Sequence, residues 1–330
     1  MGVNPDIPAE SERPSHRRRS TRNRPARFAL VRPTLARFVL ALAPLVLTSC
    51  QSSVLDPQGI VGIAEKTILI DSLAIMLAIV IPTIAATFAF AWWFRASNTR
   101  ATYLPEFVYS GRIELIVWGI PLLVIMLLGG VAWIGSHELD PAEPLASNTP
   151  SNTPPLEVQG VSLDWKWLFI YPTQRIASVN QLVVPAGVPI HFSLTSASVM
   201  SAFFIPQLGS MIYTMNGMRT QLNLRADSTG TFLGLASHFS GDGFSDMHFD
   251  VRAVPPDQFA AWIDATRNTG PTLDAGSYAA LARQSTNMPP STFRAADPDL
   301  FQQIVTQKLP PGPGPQTGRP NPSVSPRTEP

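Results

Sequence analysis

Two long apolar segments dominate the first half of the chain. Residues 68–94 and 113–134 are almost free of charged side chains, and each is long enough for a helix that crosses a bilayer core about 30 Å thick. A helix in the core of a soluble protein is rarely apolar on every face over this length. The pattern therefore predicts two transmembrane helices, at 68–94 and 113–134.

The charges beside these segments predict the orientation of the helical hairpin. The connection at 95–112 carries Arg95, Arg100 and Arg112, whereas acidic residues such as Glu138 and Asp140 follow the second segment. Basic residues are retained on the cytoplasmic side of membranes. We therefore expect a cytoplasmic loop at 95–112, a linker at 135–155 and the remainder of the chain on the outer side.

After residue 155 the hydrophobic period shortens, and β-branched and aromatic residues become frequent. We predict strands at 158–172, 179–184, 189–195, 202–205, 220–226, 231–235 and 247–254. Short strands in this number predict a β-sandwich over 156–254. Apolar spacings of three and four then return in DQFAAWIDATRN and SYAALARQS, and a last helix is predicted at 298–308. Such short helices are marginal alone, so we expect the helical region 255–309 to dock onto the sandwich or onto a partner.

The N-terminal region has the layout of a secretory signal peptide, with basic residues followed by an apolar run at 38–47. This run is too short to cross a bilayer as a helix. The sequence LTSC that ends at Cys50 resembles the lipobox of bacterial lipoproteins, which implies lipidation of Cys50. We predict an N-terminal extension and lipoprotein signal peptide at 1–49 and an outer linker at 50–67. The alternative is a free cysteine in an uncleaved anchor.

The composition agrees with a membrane protein. Charged residues make up 14% of the chain, against about 25% in typical soluble domains. The 33 prolines are roughly twice the usual share, and many lie near residue 150 and after residue 309. We therefore predict a disordered proline-rich tail at 310–330. The net charge of +1 gives no reason to expect a nucleic-acid partner.

A loop between two predicted strands, GLASHFSGDGFSDMHF, contains Gly241 and Gly243, which permit tight turns. Together with the segments DWKWLFIYP and SAFFIP, it resembles subunit II of haem-copper respiratory oxidases, in the branch of the bo-type ubiquinol oxidases. The resemblance covers about residues 50–309. It implies a two-helix transmembrane hairpin, an all-β cupredoxin-like Greek-key sandwich and a short α-helical C-terminal extension.

The resemblance also implies that the copper site of this fold has been lost. Copper-binding relatives hold two copper ions with two cysteines, two histidines, a methionine and a backbone carbonyl. The corresponding positions in this chain are Ser201, Ala236, His238, Ser240, Phe244 and Met247. Only the methionine is retained, and thiolate, which a soft dinuclear copper site requires, is available only at the distant Cys50. We therefore expect no metal, cofactor-binding or catalytic residue in this chain.

Weaker candidates for metal binding lie in the same loop. His238, Met247 and His248 could hold a single copper ion, with His191 as a further ligand, but neighbouring residues of a strand face opposite sides. Asp242, Asp246 and Asp250 do not follow the spacing of a calcium loop, and solvated carboxylates are common in loops.

Two further residues have a structural and a functional interpretation. The resemblance places Trp165 where a tryptophan of related oxidases accepts electrons from cytochrome c, although packing is the simpler role. Glu114 lies seven residues before Pro121, which resembles a position at the mouth of a proton path into the catalytic subunit. The alternative for Glu114 is an interfacial carboxylate, because acids at membrane depth are costly unless they face water or protein.

The resemblance implies a non-catalytic subunit II of a proton-pumping ubiquinol oxidase of the aerobic respiratory chain. It would support assembly and stability of subunit I, which would carry two haems and one copper, beside the smaller membrane subunits III and IV, membrane lipid and ubiquinol. The implied location is the bacterial inner membrane, with the large domain in the periplasm. A stand-alone cupredoxin-like binding or copper-delivery lipoprotein is the alternative, because a fold does not determine a function.

Overall fold

The computed structural model describes residues 54–102, 104–145 and 154–312. The predicted signal peptide, the lipidation of Cys50 and most of the predicted proline-rich tail lie outside the described residues.

Two long helices precede the β-domain. Helix α1 spans Ile60–Trp93 and helix α2 spans Gly111–Glu138. Both are long and apolar enough to cross a membrane, as predicted, but α1 starts at Ile60 rather than at residue 68. The additional turns pack against the β-domain. Val61 is buried, and the backbone N–H of Gly62 donates to the carbonyl of Leu208 at 3.0 Å.

The β-domain is a sandwich of two sheets, as predicted. Its strands are β1 Leu156–Leu163, β2 Lys166–Tyr171, β3 Ile176–Val179, β4 Gln181–Pro185, β5 Pro189–Ser196, β6 Ser201–Ile205, β7 Gly209–Thr214, β8 Thr220–Arg225, β9 Gly230–Ala236 and β10 His248–Val254. One sheet has the order β4-β10-β9-β6-β7. The other has the order β3-β2-β1-β5-β8, and a strand of the C-terminal region extends it beyond β3. Strand β1 is parallel to β5, and β10 is parallel to β4.

Two strand predictions were wrong in detail, and one strand was not predicted. The segment 158–172 is two strands, because the chain reverses at Trp165, whose φ is 62°, and Leu163 pairs with Lys166. The segment 179–184 is likewise divided at Asn180, whose φ is 52°. Strand β7 was not predicted, because its apolar residues Met211 and Tyr213 are exposed and its alternation does not separate a buried face from a polar one.

The C-terminal region covers the outer face of the larger sheet. It contains α3 Pro256–Arg267, β11 Thr272–Leu273, α4 Ala275–Leu281, β12 Ser291–Phe293, β13 Ala295–Ala296 and α5 Leu300–Val305. The helices confirm the predicted helical character and its docking onto the sandwich, whereas the three short strands were not predicted. Strand β12 pairs antiparallel with β3 and so extends the larger sheet.

Two hydrophobic clusters lie on either side of this sheet. Between the two sheets, the ring centroid of Phe203 lies 5.3 Å from those of Trp167 and Phe249. Beneath the C-terminal region, Leu168 and Ile170 pack in a cluster with residues of α4 and α5. Because both faces of the sheet are covered, all six residues of β2 are buried, and the sequence KWLFIY shows no polar alternation.

Candidate functional site

Three of the six positions that correspond to copper ligands line one narrow cleft. Ser201 begins β6, Ser240 lies in the loop after β9, and Met247 follows the 3₁₀ turn Phe244–Asp246. They surround the cleft together with residues of the β1–β2 turn, including Asp164, and with Ser198. The hydroxyl of Ser240 lies 4.0 Å from the sulfur of Met247, so the fold brings these positions together.

The remaining three positions make different contacts. Ala236 stays beside the cleft, where its backbone N–H donates to the carbonyl of Met247 at 3.1 Å. The ring of His238 packs edge-on against Tyr213, with centroids 5.7 Å apart. The ring of Phe244 packs against Phe239 at 5.6 Å.

The side chains of the cleft do not fit a dinuclear copper centre. Hydroxyl, methyl and thioether groups replace the thiolates and imidazoles that such a centre needs. The hydroxyl of Ser201 is buried and has no hydrogen-bond partner within the described ranges. Within those ranges, no group of three or more histidine, cysteine, aspartate or glutamate residues is placed to hold a metal ion.

The side chains of the weaker copper candidates have different surroundings. Met247 is 2% exposed, whereas His248 lies on the exposed side of β10. The imidazole of His191 makes a 2.8 Å hydrogen bond with the side-chain oxygen of Asn223. Met247 therefore lies in the interior and His248 at the surface, while His191 is engaged with Asn223 of β8.

Trp165 lies at the tip of the β1–β2 turn, next to this cleft. It is 3% exposed, and its indole N–H donates to the carbonyl of Ser240 at 3.1 Å. The φ of 62° is rare for a bulky residue, so the surrounding contacts hold the turn. The geometry agrees with the packing role of this side chain.

Lys166, the residue that follows this tryptophan, was not among the predicted site residues. It is 1% exposed, and its ammonium group donates to the carbonyl of Arg283 at 2.6 Å and to the hydroxyl of Ser285 at 2.5 Å. Burial lowers the pKa of Lys166 to about 8, and the negative charge of Asp164 opposes this shift in part. The sequence does contain a signal for this residue, because a lysine within the largely apolar segment DWKWLFIYP needs a partner if it is buried.

Comparison with known proteins identifies the family of this chain. Residues 158–254 match the family described as cytochrome c oxidase subunit II, periplasmic domain, and residues 267–312 match the COX aromatic rich motif. A protein of Acetobacter aceti named ubiquinol oxidase subunit 2 is 48% identical over 263 residues, which cover 80% of this chain and 85% of that protein. The chain belongs to the ubiquinol oxidase subunit 2 family.

The chain is also similar to another member of this family and to one solved structure. The cytochrome bo(3) ubiquinol oxidase subunit 2 of Pseudomonas aeruginosa is 45% identical over 269 residues, which cover 81% of this chain and 80% of that protein. The periplasmic domain of cytochrome oxidase subunit II from Bradyrhizobium japonicum matches 33% of this chain and 91% of its own length, with 27% identity and a TM-score of 0.32.

One further candidate residue of this chain lies outside the sandwich. Glu114 occupies the first turn of α2, its side chain is exposed, and its backbone N–H donates to the carbonyl of Ser110 at 3.0 Å. A carboxylate in the first turn interacts favourably with the helix dipole. Glu114 thus lies at the end of α2 that adjoins the basic loop 95–112. Its predicted role in proton transfer stays a prediction.

Proposed function

We propose that this chain is the non-catalytic subunit II of a proton-pumping ubiquinol oxidase of the aerobic respiratory chain. In this role it supports assembly and stability of the haem-copper catalytic subunit. The observation that carries the proposal is the cleft of Ser201, Ser240 and Met247 on a sandwich built onto two membrane-length helices. Ubiquinol dissolves in the bilayer, so its electrons do not require a copper relay on the outer surface.

The partners follow from the same proposal. The catalytic subunit I would hold two haems and one copper, and the smaller membrane subunits III and IV would complete the assembly. The surfaces of α1 and α2 support such contacts, because apolar side chains such as Trp118, Leu115 and Phe88 are 76%, 75% and 72% exposed in the single chain. Only lipid or neighbouring helices can cover these side chains favourably.

The proposed location is the bacterial inner membrane, with α1 and α2 both spanning the bilayer. The exposed residues Arg95, Arg100 and Arg112 lie beside the helix ends that the loop 95–112 connects. They support a cytoplasmic position for these ends, with the sandwich in the periplasm. We also propose that Cys50 carries a lipid anchor on the outer side. The orientation supports this, because two crossings return the chain to the side from which it started.

Purification of the tagged chain from membranes tests the main proposal. In mild detergent the chain should co-purify with a haem-bearing subunit, and the complex should oxidise ubiquinol. Metal analysis should give one copper for every two haems. A chain that works without a haem-bearing partner would instead be a stand-alone lipoprotein, and two additional coppers per complex would show that the sandwich binds metal after all.

A further role within the complex is proposed for Glu114. Its carboxylate lies at the cytoplasmic end of α2 under this orientation, where it could pass protons from water to a partner subunit. An acidic side chain at this depth tends to face water or protein rather than lipid.

A further inference from the structure

The buried lysine of β2 joins the sandwich to a distant part of the chain. Lys166 Nζ donates to the backbone carbonyl of Arg283 and to the hydroxyl of Ser285, which lie 117 and 119 residues later. An ammonium group is costly to bury unless hydrogen bonds and nearby charges compensate. Its position therefore depends on the segment 283–288, which has neither helix nor strand and is called the strap below.

A side chain between β3 and β4 holds the other end of the strap. Asn180 donates from Nδ2 to the carbonyl of Met288 at 2.8 Å, while its Oδ1 accepts from the backbone N–H of Trp167 at 2.9 Å. Asn180 has a φ of 52°, a backbone conformation that asparagine tolerates better than most residues. The strap is thus fixed at Arg283 and Ser285 by Lys166, and at Met288 by Asn180.

Between these attachments the strap meets the cleft loop 236–247 and Trp165 at one point. A Cβ atom placed on Gly243 would lie 2.5 Å from indole ring atoms of Trp165 and 2.6 Å from the methyl carbon of Thr286. The loop backbone, the indole and the strap are therefore in close contact. The indole N–H of Trp165 also donates to the carbonyl of Ser240, so the side chain contacts the loop 236–247 at two residues.

The charged and titratable groups around Lys166 belong to the same junction. Asp164 lies in the β1–β2 turn and accepts a hydrogen bond from Ser198 at 2.5 Å. Its negative charge also reaches Tyr278 of α4, which lies beneath the C-terminal region. Lys166, Asp164 and Tyr278 thus connect the turn that bears Trp165 with the region that leads into the strap.

We propose that the strap 283–288 locks the loop 236–247 in place through Trp165, and that Lys166 is the positioning residue that holds the strap closed. The closed strap, through Thr286, packs beside Gly243 and the indole of Trp165 and keeps this indole out of solvent. This inference goes beyond the proposed function and does not depend on the partner subunits.

Hydrogen exchange of the purified full-length protein in detergent, followed by mass spectrometry, tests the lock. Lys166→Met should speed exchange in peptides over 283–288 and over 236–247 by at least about tenfold, because it removes both hydrogen bonds from the charged group to the strap. Peptides from β5 should be unchanged. Oxidative labelling of Trp165 should rise in the same variant. Lys308→Met, which removes an exposed lysine of the C-terminal region, is the matched control and should behave like the unmodified protein.

The second variant, Ser285→Ala, removes one acceptor without altering the sandwich core. It should speed exchange in the same two segments to a smaller extent, and it decides the question if the Lys166→Met protein does not accumulate. Faster exchange in the strap alone, with the loop and Trp165 unchanged, would show that the strap does not lock the loop. Unchanged exchange in both segments would show that Lys166 does not hold the strap.

Discussion

The carboxylate of Glu65 in α1 accepts two hydrogen bonds from Ser210 in β7, one from the backbone N–H at 2.9 Å and one from the hydroxyl at 3.0 Å. Ser210 has a φ of 41°, which is unfavourable for a residue other than glycine. Beside it, a Cβ on Gly209 would lie 2.7 Å from the backbone nitrogen of Gly62. The first turns of α1 are therefore built into the sandwich.

Removal of the Glu65 carboxylate should weaken this junction. Glu65→Ala leaves the N–H of Ser210 without its acceptor, and hydrogen bonds to charged groups contribute about 1.5–3 kcal/mol. We expect a lower Tm of the purified protein in detergent. Glu65→Gln retains an acceptor oxygen in the same place and should lose much less. Equal Tm values for the two variants would show that the acceptor does not stabilise the junction.

The glycine that contacts Trp165 should tolerate no side chain. Gly243→Ala places a methyl group within 2.5 Å of the indole ring, and overpacking of a close contact costs about 1–3 kcal/mol. Thermal unfolding should show this loss. Gly276→Ala is the control, because the nearest atom to its Cβ is a side-chain oxygen at 3.4 Å and alanine favours helix α4. A fully stable Gly243→Ala protein would contradict the close packing of the loop on Trp165.

The buried lysine should make stability depend on pH in the alkaline range. Burial lowers the pKa of Lys166 from 10.5 to about 8, so between these values the unfolded chain binds more protons than the folded protein. Stability should then increase from pH 8 to pH 10 by roughly 2 kcal/mol. Chemical denaturation across this range measures the increase, which Lys166→Met should abolish.

The trend should reverse at higher pH. Burial raises the pKa of Tyr171 and of Tyr278 above the ordinary value of 10.0, so these phenols stay neutral in the folded protein while they ionise in the unfolded chain. Stability is consequently lost as the pH rises above 10. A monotonic increase beyond pH 10 would contradict the burial of these tyrosines.

Met247 should act as a packing residue rather than as a metal ligand. Met247→Leu nearly preserves volume and should cost less than about 1.5 kcal/mol, with unchanged ubiquinol oxidation by the purified complex. Met247→Ala should cost about 2–5 kcal/mol, because it leaves a cavity. Loss of activity and of copper in the leucine variant would instead identify this sulfur as a ligand.

The proposed proton role of Glu114 predicts a specific kinetic defect. Glu114→Ala should slow proton uptake by the complex reconstituted in vesicles, while subunit content and haem spectrum stay unchanged. Glu106→Ala, which removes another exposed acid near the same end of the helices, is the control. Unchanged turnover of the Glu114→Ala complex would reject the role.

The sequence was sufficient to predict the two long helices from the length of their apolar segments, and the sandwich and the helical C-terminal region from their hydrophobic periods. The strand break at Trp165 was hidden, since β2 is buried on both faces and its residues show no alternation. Strand β7 was not predicted because its apolar residues Met211 and Tyr213 are exposed, so the usual alternation of buried apolar and exposed polar residues is missing.

The candidate cleft was predictable as a set of positions, but its contacts were not. Ser201, Ser240 and Met247 come together through strand pairing, and the loop layout indicated this. The contact of Lys166 with Arg283 and Ser285 joins parts of the chain more than a hundred residues apart. No local pattern records such a contact, although a charge within an apolar segment indicates that a partner must exist.

The pairing of β12 with β3 has a consequence for solubility. Residues Ser291–Phe293 pair with Ala177, Ser178 and Val179 along the outer side of β3. Unpaired strands at the margin of a sheet recruit strands from other molecules. A chain shortened before residue 291 would therefore expose a template for self-association, so the C-terminal region protects the domain against aggregation as well as covering its outer face.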